Sequence, residues 1–198
     1  IKESGGLDLA LVVNTGPRLA AAGVFTTNRV KAAPVLWSEQ VVKGGRISAV
    51  VLNSGGANAC TGPQGFQDTH ATAEKAAEVL EGHSAGEIAV ASTGLIGTLL
   101  PMDKLLPGVA KAAAELSAHG GEKAAIAIKT TDTVHKTAVA EGSGWTVGGM
   151  AKGAGMLAPG LATMLVVLTT DADLPPAALD TALRAATRTT FDRIDSDG

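Results

Sequence analysis

The chain has 198 residues, of which 45% are hydrophobic and 18% charged, with a formal net charge of −3. That balance excludes an intrinsically disordered chain, and without a basic stretch neither nucleic acid nor an anionic membrane is an expected partner. Cys60 is the only cysteine and has no internal disulfide partner, which predicts a reducing, cytoplasmic setting.

No apolar run is long enough to span a bilayer, and no basic, apolar, small-residue leader opens the chain. The sequence starts at Ile1 rather than Met and stops in mid-pattern at Gly198, so it is expected to be incomplete at both ends.

In chain order, short apolar or β-branched runs bounded by glycine or polar residues predict strands over 7–13, 23–27 and 47–52. Asn53-Ser54-Gly55-Gly56-Ala57-Asn58 then breaks the third strand sharply, as a turn with positive φ or a close approach to a ligand requires. Phe66, His70, Ala73, Ala77 and Leu80 follow helical spacing and predict an amphipathic helix. A strand is expected over 88–91, and a helix over about 103–118 with Pro107 as a kink or as its start. A short helix should cover 124–130, and a strand pair 134–140 and 145–150 across Glu141-Gly142-Ser143-Gly144. The apolar run 164–168 predicts a strand buried on both faces, and Pro175-Pro176 opens a last helix through Arg188. Strands, hairpins and helices in this mixture predict an α/β fold, a layered α+β core of mixed sheets packed with helices.

The stretch Lys152-Gly153-Ala154-Gly155-Met156-Leu157-Ala158-Pro159-Gly160-Leu161-Ala162-Thr163-Met164 is the most unusual in the chain. Lys152 is the only charge between Glu141 and Asp171, and the run leads straight into the strand that starts near Thr163. Two readings of Thr163 stand on the residues alone. In one it is a β-branched residue of a core strand. In the other the bond before it is cut, and its new α-amine, titrating near 8, acts as the local base for its own hydroxyl. Lys152 likewise reads either as a substrate-binding cation or as a stem that snorkels from a core loop to water.

Other candidates carry less. Cys60 reads as a thiol nucleophile or as a small buried hydrophobe. His70, His83, His119 and His135 lack ligand spacing with cysteine or acidic residues, so no metal is expected, and His70 is placed at a core or interface. Gly148-Gly149 and Gly153-x-Gly155 lack the strand–GxGxxG–helix frame of a dinucleotide site. Asp192, Asp195 and Asp197 read as a polar loop.

Five segments in order resemble the ornithine acetyltransferase (glutamate N-acetyltransferase) family of arginine biosynthesis. They are Gly23-Val24-Phe25-Thr26-Thr27-Asn28, Asn53-Ser54-Gly55-Gly56-Ala57-Asn58-Ala59 and Ser92-Thr93-Gly94-Leu95-Ile96-Gly97. The others are Thr130-Thr131-Asp132 and Gly149-Met150-Ala151-Lys152-Gly153-Ala154-Gly155-Met156, continuing to Ala162-Thr163-Met164-Leu165.

The resemblance implies self-cleavage between Ala162 and Thr163, with residues 1–162 as a first (α) subunit and 163–198 as a truncated start of a second (β) subunit. Thr163 would then carry the acetyl group of N-acetylornithine to glutamate through an acetyl-threonine ester. By the same resemblance Thr93 and Gly94 form the oxyanion hole, and Thr130 and Lys152 bind substrate. It implies no cofactor, with acetyl-CoA as an additional donor in bifunctional members. The chain's own second subunit is the implied partner, in an assembly of two α and two β chains. Two other functions stay open: a related self-cleaving aminopeptidase, with water as acceptor, and a non-catalytic domain that binds a small metabolite.

Overall fold

A computed structural model describes residues 5–161 and 163–197. Ala162, the first half of the expected cleavage junction, lies outside them.

The first sheet is built from β1 (Leu9–Val13), β2 (Ala49–Asn53) and β3 (Ile88–Ser92). β1 runs antiparallel to β2, with Leu11 opposite Val51, and β2 runs parallel to β3, with Val51 opposite Val90. Side chains alternate across a strand, and the two faces collect different residues. Leu11, Val51 and Val90 pack with Ala73, Ala76 and Val109 of helices α2 (Gly62–Leu80) and α3 (Met102–Ala114). Ala10 and Leu52 pack on the opposite face with Ala125 and Ile128, from α4 (Gly121–Ala127) and its end, and with Met150. A sheet covered on both sides reads as continuous apolar runs, and Ala49–Leu52 and Ile88–Ala91 have that form.

The second sheet is antiparallel: β4 (Lys136–Gly142), β5 (Trp145–Lys152) and β6 (Leu165–Thr170). Met150 of β5 joins it to the first sheet through the second core cluster. The expected burial of the last strand on both faces is wrong. β6 is half-buried over Leu165–Val167 and exposed over Leu168–Thr170, and β4 is exposed throughout; Leu165 and Val167 pack on one side only, beside Met150 on the second core cluster. The chain closes with α5 (Pro176–Thr189). The layered α+β class is the one observed, and among the described residues no helix is long and apolar enough to cross a membrane.

Helix α1 (Ala33–Val42) was not expected from the sequence, since Ala33-Pro34-Val35-Leu36-Trp37 has no clean amphipathic spacing. Tertiary contacts supply what spacing does not. The buried Ser38 hydroxyl donates to the Val90 carbonyl at 2.7 Å and accepts from the Val90 N–H at 2.9 Å, while Trp37 Nε1 donates to the Ile88 carbonyl at 2.9 Å. The helix thereby satisfies the outer edge of β3, which otherwise presents unpaired backbone groups.

The expected strand over 23–27 is absent; that segment is a loop in which Thr26 and Thr27 bond residues 161 and 160 rather than a sheet. Exposure rules out a core position for both His70 and Cys60. His70 is exposed on α2, tilted against Trp37 at a ring separation of 5.0 Å and 3.6 Å from Glu74. Cys60 is exposed at a positive φ of 57°, outside the core.

Gly65 in the first turn of α2 is required by close approach. A Cβ there would stand 1.9 Å from Thr61 Oγ1 and 2.4 Å from Asn58 Oδ1. Those two atoms belong to a buried network in which Thr61 donates to Asn58, and Asn58 Nδ2 donates to the Gly65 carbonyl at 2.8 Å and to Thr69 at 2.9 Å. Gly65→Ala is expected to cost about 2–4 kcal/mol through overpacking and lost hydrogen bonds, read as a shift in the urea midpoint at constant slope. A gain of stability, as helix propensity alone would give, would contradict the packing.

Candidate active site

β2 and β3 are parallel, so their C-terminal ends deliver two turns side by side. The Thr93 N–H donates to the Asn53 carbonyl at 3.0 Å, and Thr93 bridges Gly56, which lays the turn after β3 directly on the turn after β2. Gly94 sits at φ +130°, and a Cβ on it would lie 2.9 Å from the backbone nitrogen of Gly56. Only glycine fits there without moving one of the two turns.

Lys152 ends β5, and β5 is carried over the first sheet by Met150. Its side chain is only 5% exposed. The ammonium donates to Thr130 Oγ1 at 2.7 Å and to Thr93 Oγ1 at 3.2 Å. Three residues that the sequence placed in a site therefore meet at one buried charge. Burying an ammonium is costly unless it is paired, and Asp132 Oδ2 lies 4.0 Å from it.

Asp132 carries no solvent-exposed side-chain surface. Its carboxylate accepts from the Gly153 N–H at 2.8 Å and from the Thr130 N–H at 3.4 Å, and is ion-paired with Lys136. Burial pushes its pKa up, but the Lys136 ammonium and the two backbone N–H groups outweigh that and hold it below its ordinary value. A carboxyl with a lowered folded pKa contributes stability that is fully present above its unfolded value, near 3.8, and is lost as pH falls through the lower folded value. Asp132→Asn is expected to cost about 2–3 kcal/mol at neutral pH, the loss of charge-assisted hydrogen bonds at a buried site. In denaturation curves taken at several pH values, that difference from wild type should shrink as pH is lowered below the 3.8 region. A difference independent of pH would refute the electrostatic origin.

Thr163 stands two residues before β6, and Lys152 pairs in register with Leu165. The Thr163 N–H donates to the Met156 carbonyl at 3.0 Å, closing the Gly-rich loop on itself. Thr93, Gly94, Thr130, Lys152 and Thr163 all border one broad open cleft, which also takes in residues as far apart as Val12, Val139 and Asp197. Hydrogen bonds join Thr93, Thr130 and Lys152 directly; Thr163 stands two residues before the Leu165 that pairs with Lys152. Asp132 and Lys136 were given no role from sequence, although Asp132 completes the Thr130-Thr131-Asp132 motif and Lys136 follows it at the spacing of one helical turn.

Comparison with known proteins bears on the chain as a whole. The family model described as the ArgJ family matches residues 1–198. The arginine biosynthesis bifunctional protein ArgJ of Streptomyces avermitilis is 84% identical over 198 residues, covering all of this chain and 51% of that protein. The Mycobacterium tuberculosis protein of the same name is 65% identical over 205 aligned residues, again across 100% of this chain and 51% of its own length. This chain therefore spans about half the length of the curated relatives it matches. Among solved structures, Mycobacterium tuberculosis ornithine acetyltransferase in complex with ornithine superposes with a TM-score of 0.79 at 63% identity, covering 81% of this chain and 87% of that one. The ArgJ structure from Bacillus halodurans gives a TM-score of 0.61 at 31% identity, over 82% and 76% of the two chains. A family match along its whole length, relatives far above the threshold of chance and two similar folds leave one assignment: this chain belongs to the ArgJ family.

Proposed function

We propose that the full-length protein is an acetyltransferase of arginine biosynthesis that moves an acetyl group from N-acetylornithine to glutamate through Thr163. The observation that carries the proposal is the buried Lys152 ammonium bound to the Thr93 and Thr130 hydroxyls, at the end of the strand that pairs with the one Thr163 leads into.

Cleavage between Ala162 and Thr163 frees the threonine α-amine, whose pKa near 8 suits a base at neutral pH. That amine takes the proton of the Thr163 hydroxyl as its oxygen attacks the acetyl carbonyl of N-acetylornithine. Negative charge develops on the carbonyl oxygen, where the Gly94 N–H and the Thr93 hydroxyl serve as donors. Lys152 occupies a lone pair of Thr93 Oγ1, which turns the hydroxyl's own proton toward the cleft. Ornithine leaves with the proton held by the α-amine, and the acetyl group stays as an ester on Thr163. The amine of glutamate attacks that ester and regenerates the hydroxyl. Lys152 and Thr130 suit the carboxylate of either amino acid, as a buried ammonium beside a hydroxyl does. The second subunit released by cleavage is the constitutive partner, in an assembly with two copies of each.

The test is to incubate the processed enzyme with N-acetylornithine in the absence of glutamate, quench, and map the peptides. One acetyl group on the peptide that begins at Thr163, removed on adding glutamate, supports the ester. Transfer without any adduct would replace it with direct transfer between the two substrates. Steady release of acetate instead of N-acetylglutamate would favour the hydrolytic aminopeptidase reading.

A further inference from the structure

Of the five segments singled out in the sequence, Gly23–Asn28 takes no part in the cleft chemistry. Its side chains reach across the fold to the two carbonyls that precede the Ala162–Thr163 junction. Thr26 Oγ1 donates to the Leu161 carbonyl, and Asn28 Nδ2 donates to the same oxygen at 3.1 Å. Thr27 donates twice to the Gly160 carbonyl, from its hydroxyl at 2.9 Å and its N–H at 3.0 Å. The Asn28 N–H also donates to Thr26 Oγ1 at 3.1 Å, which directs the Thr26 proton toward Leu161.

The far side of the junction is held as well. The Thr163 N–H donates to the Met156 carbonyl at 3.0 Å, and Met156 is kept at a positive φ of 54°. A glycine-bearing loop left to itself would sample many arrangements, and ordering it costs about 1–2 kcal/mol for each residue fixed. Four donors from residues 26–28, and the bond from the Thr163 N–H to the Met156 carbonyl within the loop, offset that cost at this one place.

We propose that Thr26, Thr27 and Asn28 are positioning residues for self-cleavage: they anchor the Gly160 and Leu161 carbonyls so that the Thr163 hydroxyl is presented to the carbonyl of Ala162. The inference rests on the reading that the chain cuts itself there. In the step they serve, a bond forms between Thr163 Oγ1 and the Ala162 carbonyl carbon while the carbon–nitrogen bond to Thr163 breaks. The hydroxyl proton passes to the departing nitrogen, whose N–H already faces the Met156 carbonyl. Water then hydrolyses the ester, leaving a carboxylate on Ala162 and restoring the Thr163 hydroxyl. None of the three residues gains or loses a proton. They act by geometry alone, as groups that hold reacting atoms in register do.

The experiment follows cutting in freshly synthesised full-length protein by gel and intact mass, comparing wild type with Thr26→Val, Thr26→Ser and the double variant T26V/N28A, with T163A as the uncut reference. The double variant should cut about 10–100-fold more slowly than wild type, the scale of a small misplacement of reacting groups. Thr26→Ser keeps the donor and should cut at close to the wild-type rate, whereas the isosteric Thr26→Val should not. Uncut double variant should melt within a few degrees of uncut T163A; if it melts far lower, the Val and Ser pair decides the matter. A double variant that cuts at the wild-type rate, or Val and Ser variants slowed alike, overturns the positioning role. Wild type that never cuts overturns the self-cleavage reading itself, and this inference with it.

Discussion

Thr163→Ala is expected to leave the full-length protein as one uncut chain and to reduce acetyl transfer by on the order of 10⁴-fold or more, the scale seen when a covalent nucleophile is removed. Alanine keeps the backbone and the N–H that faces Met156 but has no oxygen to attack either the Ala162 carbonyl or the acetyl group. Both losses come from one atom, so a second variant must separate them. Thr163→Ser retains the hydroxyl and should both cut and transfer, more slowly because serine lacks the methyl that restricts rotation about χ1. Processing that continues in Thr163→Ala would rule out its hydroxyl as the cleaving group. Gels and steady-state rates on the same preparations decide both points.

Gly94→Ala should lower kcat by about 100–1000-fold with little change in KM, as the loss of one oxyanion donor does. The reason lies in the backbone. At φ +130° a side chain is strained in any case, and its Cβ would lie 2.9 Å from Gly56 N and 3.0 Å from Gly56 Cα. Neither neighbour is a flexible side chain that can swing aside, so the Thr93–Gly94 turn must shift and its N–H with it. Lys152 stands on another element and keeps its shorter bond, to Thr130, even where a shift of Thr93 weakens the second, which is why substrate binding should largely survive. Wild-type kcat in a folded Gly94→Ala enzyme would remove the Gly94 N–H from the mechanism. A parallel rise in KM would assign the turn to binding instead.

The sequence spoke clearly wherever local pattern and tertiary need coincided. β2 and β3 are short, apolar up to their last residue and followed by polar or glycine turns, so they were legible within a few residues; α2 was legible as a helix, although the stripe it buries, Asp68, Thr69, Thr72, Ala73 and Ala76, shares only Ala73 with the expected one. α1 was not, because what orders it is a pair of side chains, Trp37 and Ser38, that bond the edge of a strand some fifty positions later in the chain. Gly23–Thr27 shows the opposite failure. Its residues favour a strand, but the partners are the carbonyls of 160 and 161 rather than another strand. β-propensity does not name the partner. The last strand was read as buried on both sides from its apolar run alone, yet exposure is a property of the layers around it.

At the candidate site, the family resemblance implied roles for Thr93, Thr130 and Lys152, and the hydrogen bonds from one ammonium show that the three meet. Asp132 stayed silent, since an aspartate beside two threonines is ordinary in a loop and only its complete burial sets it apart. A buried carboxylate that holds the Gly153 N–H also fixes the start of the loop on which Thr163 rests. Lys136 and Asp132 thus belong to the support of the site rather than to its contact with substrate.

The central claim is that Thr163 becomes an N-terminal nucleophile, and the intact mass of the full-length protein after expression tests it most directly. The account predicts two fragments, the second beginning Thr163-Met164-Leu165. A single chain that stays uncut under conditions where it is folded would contradict it, and would return Thr163 to an ordinary place before a strand and the cleft to a binding site for a small metabolite.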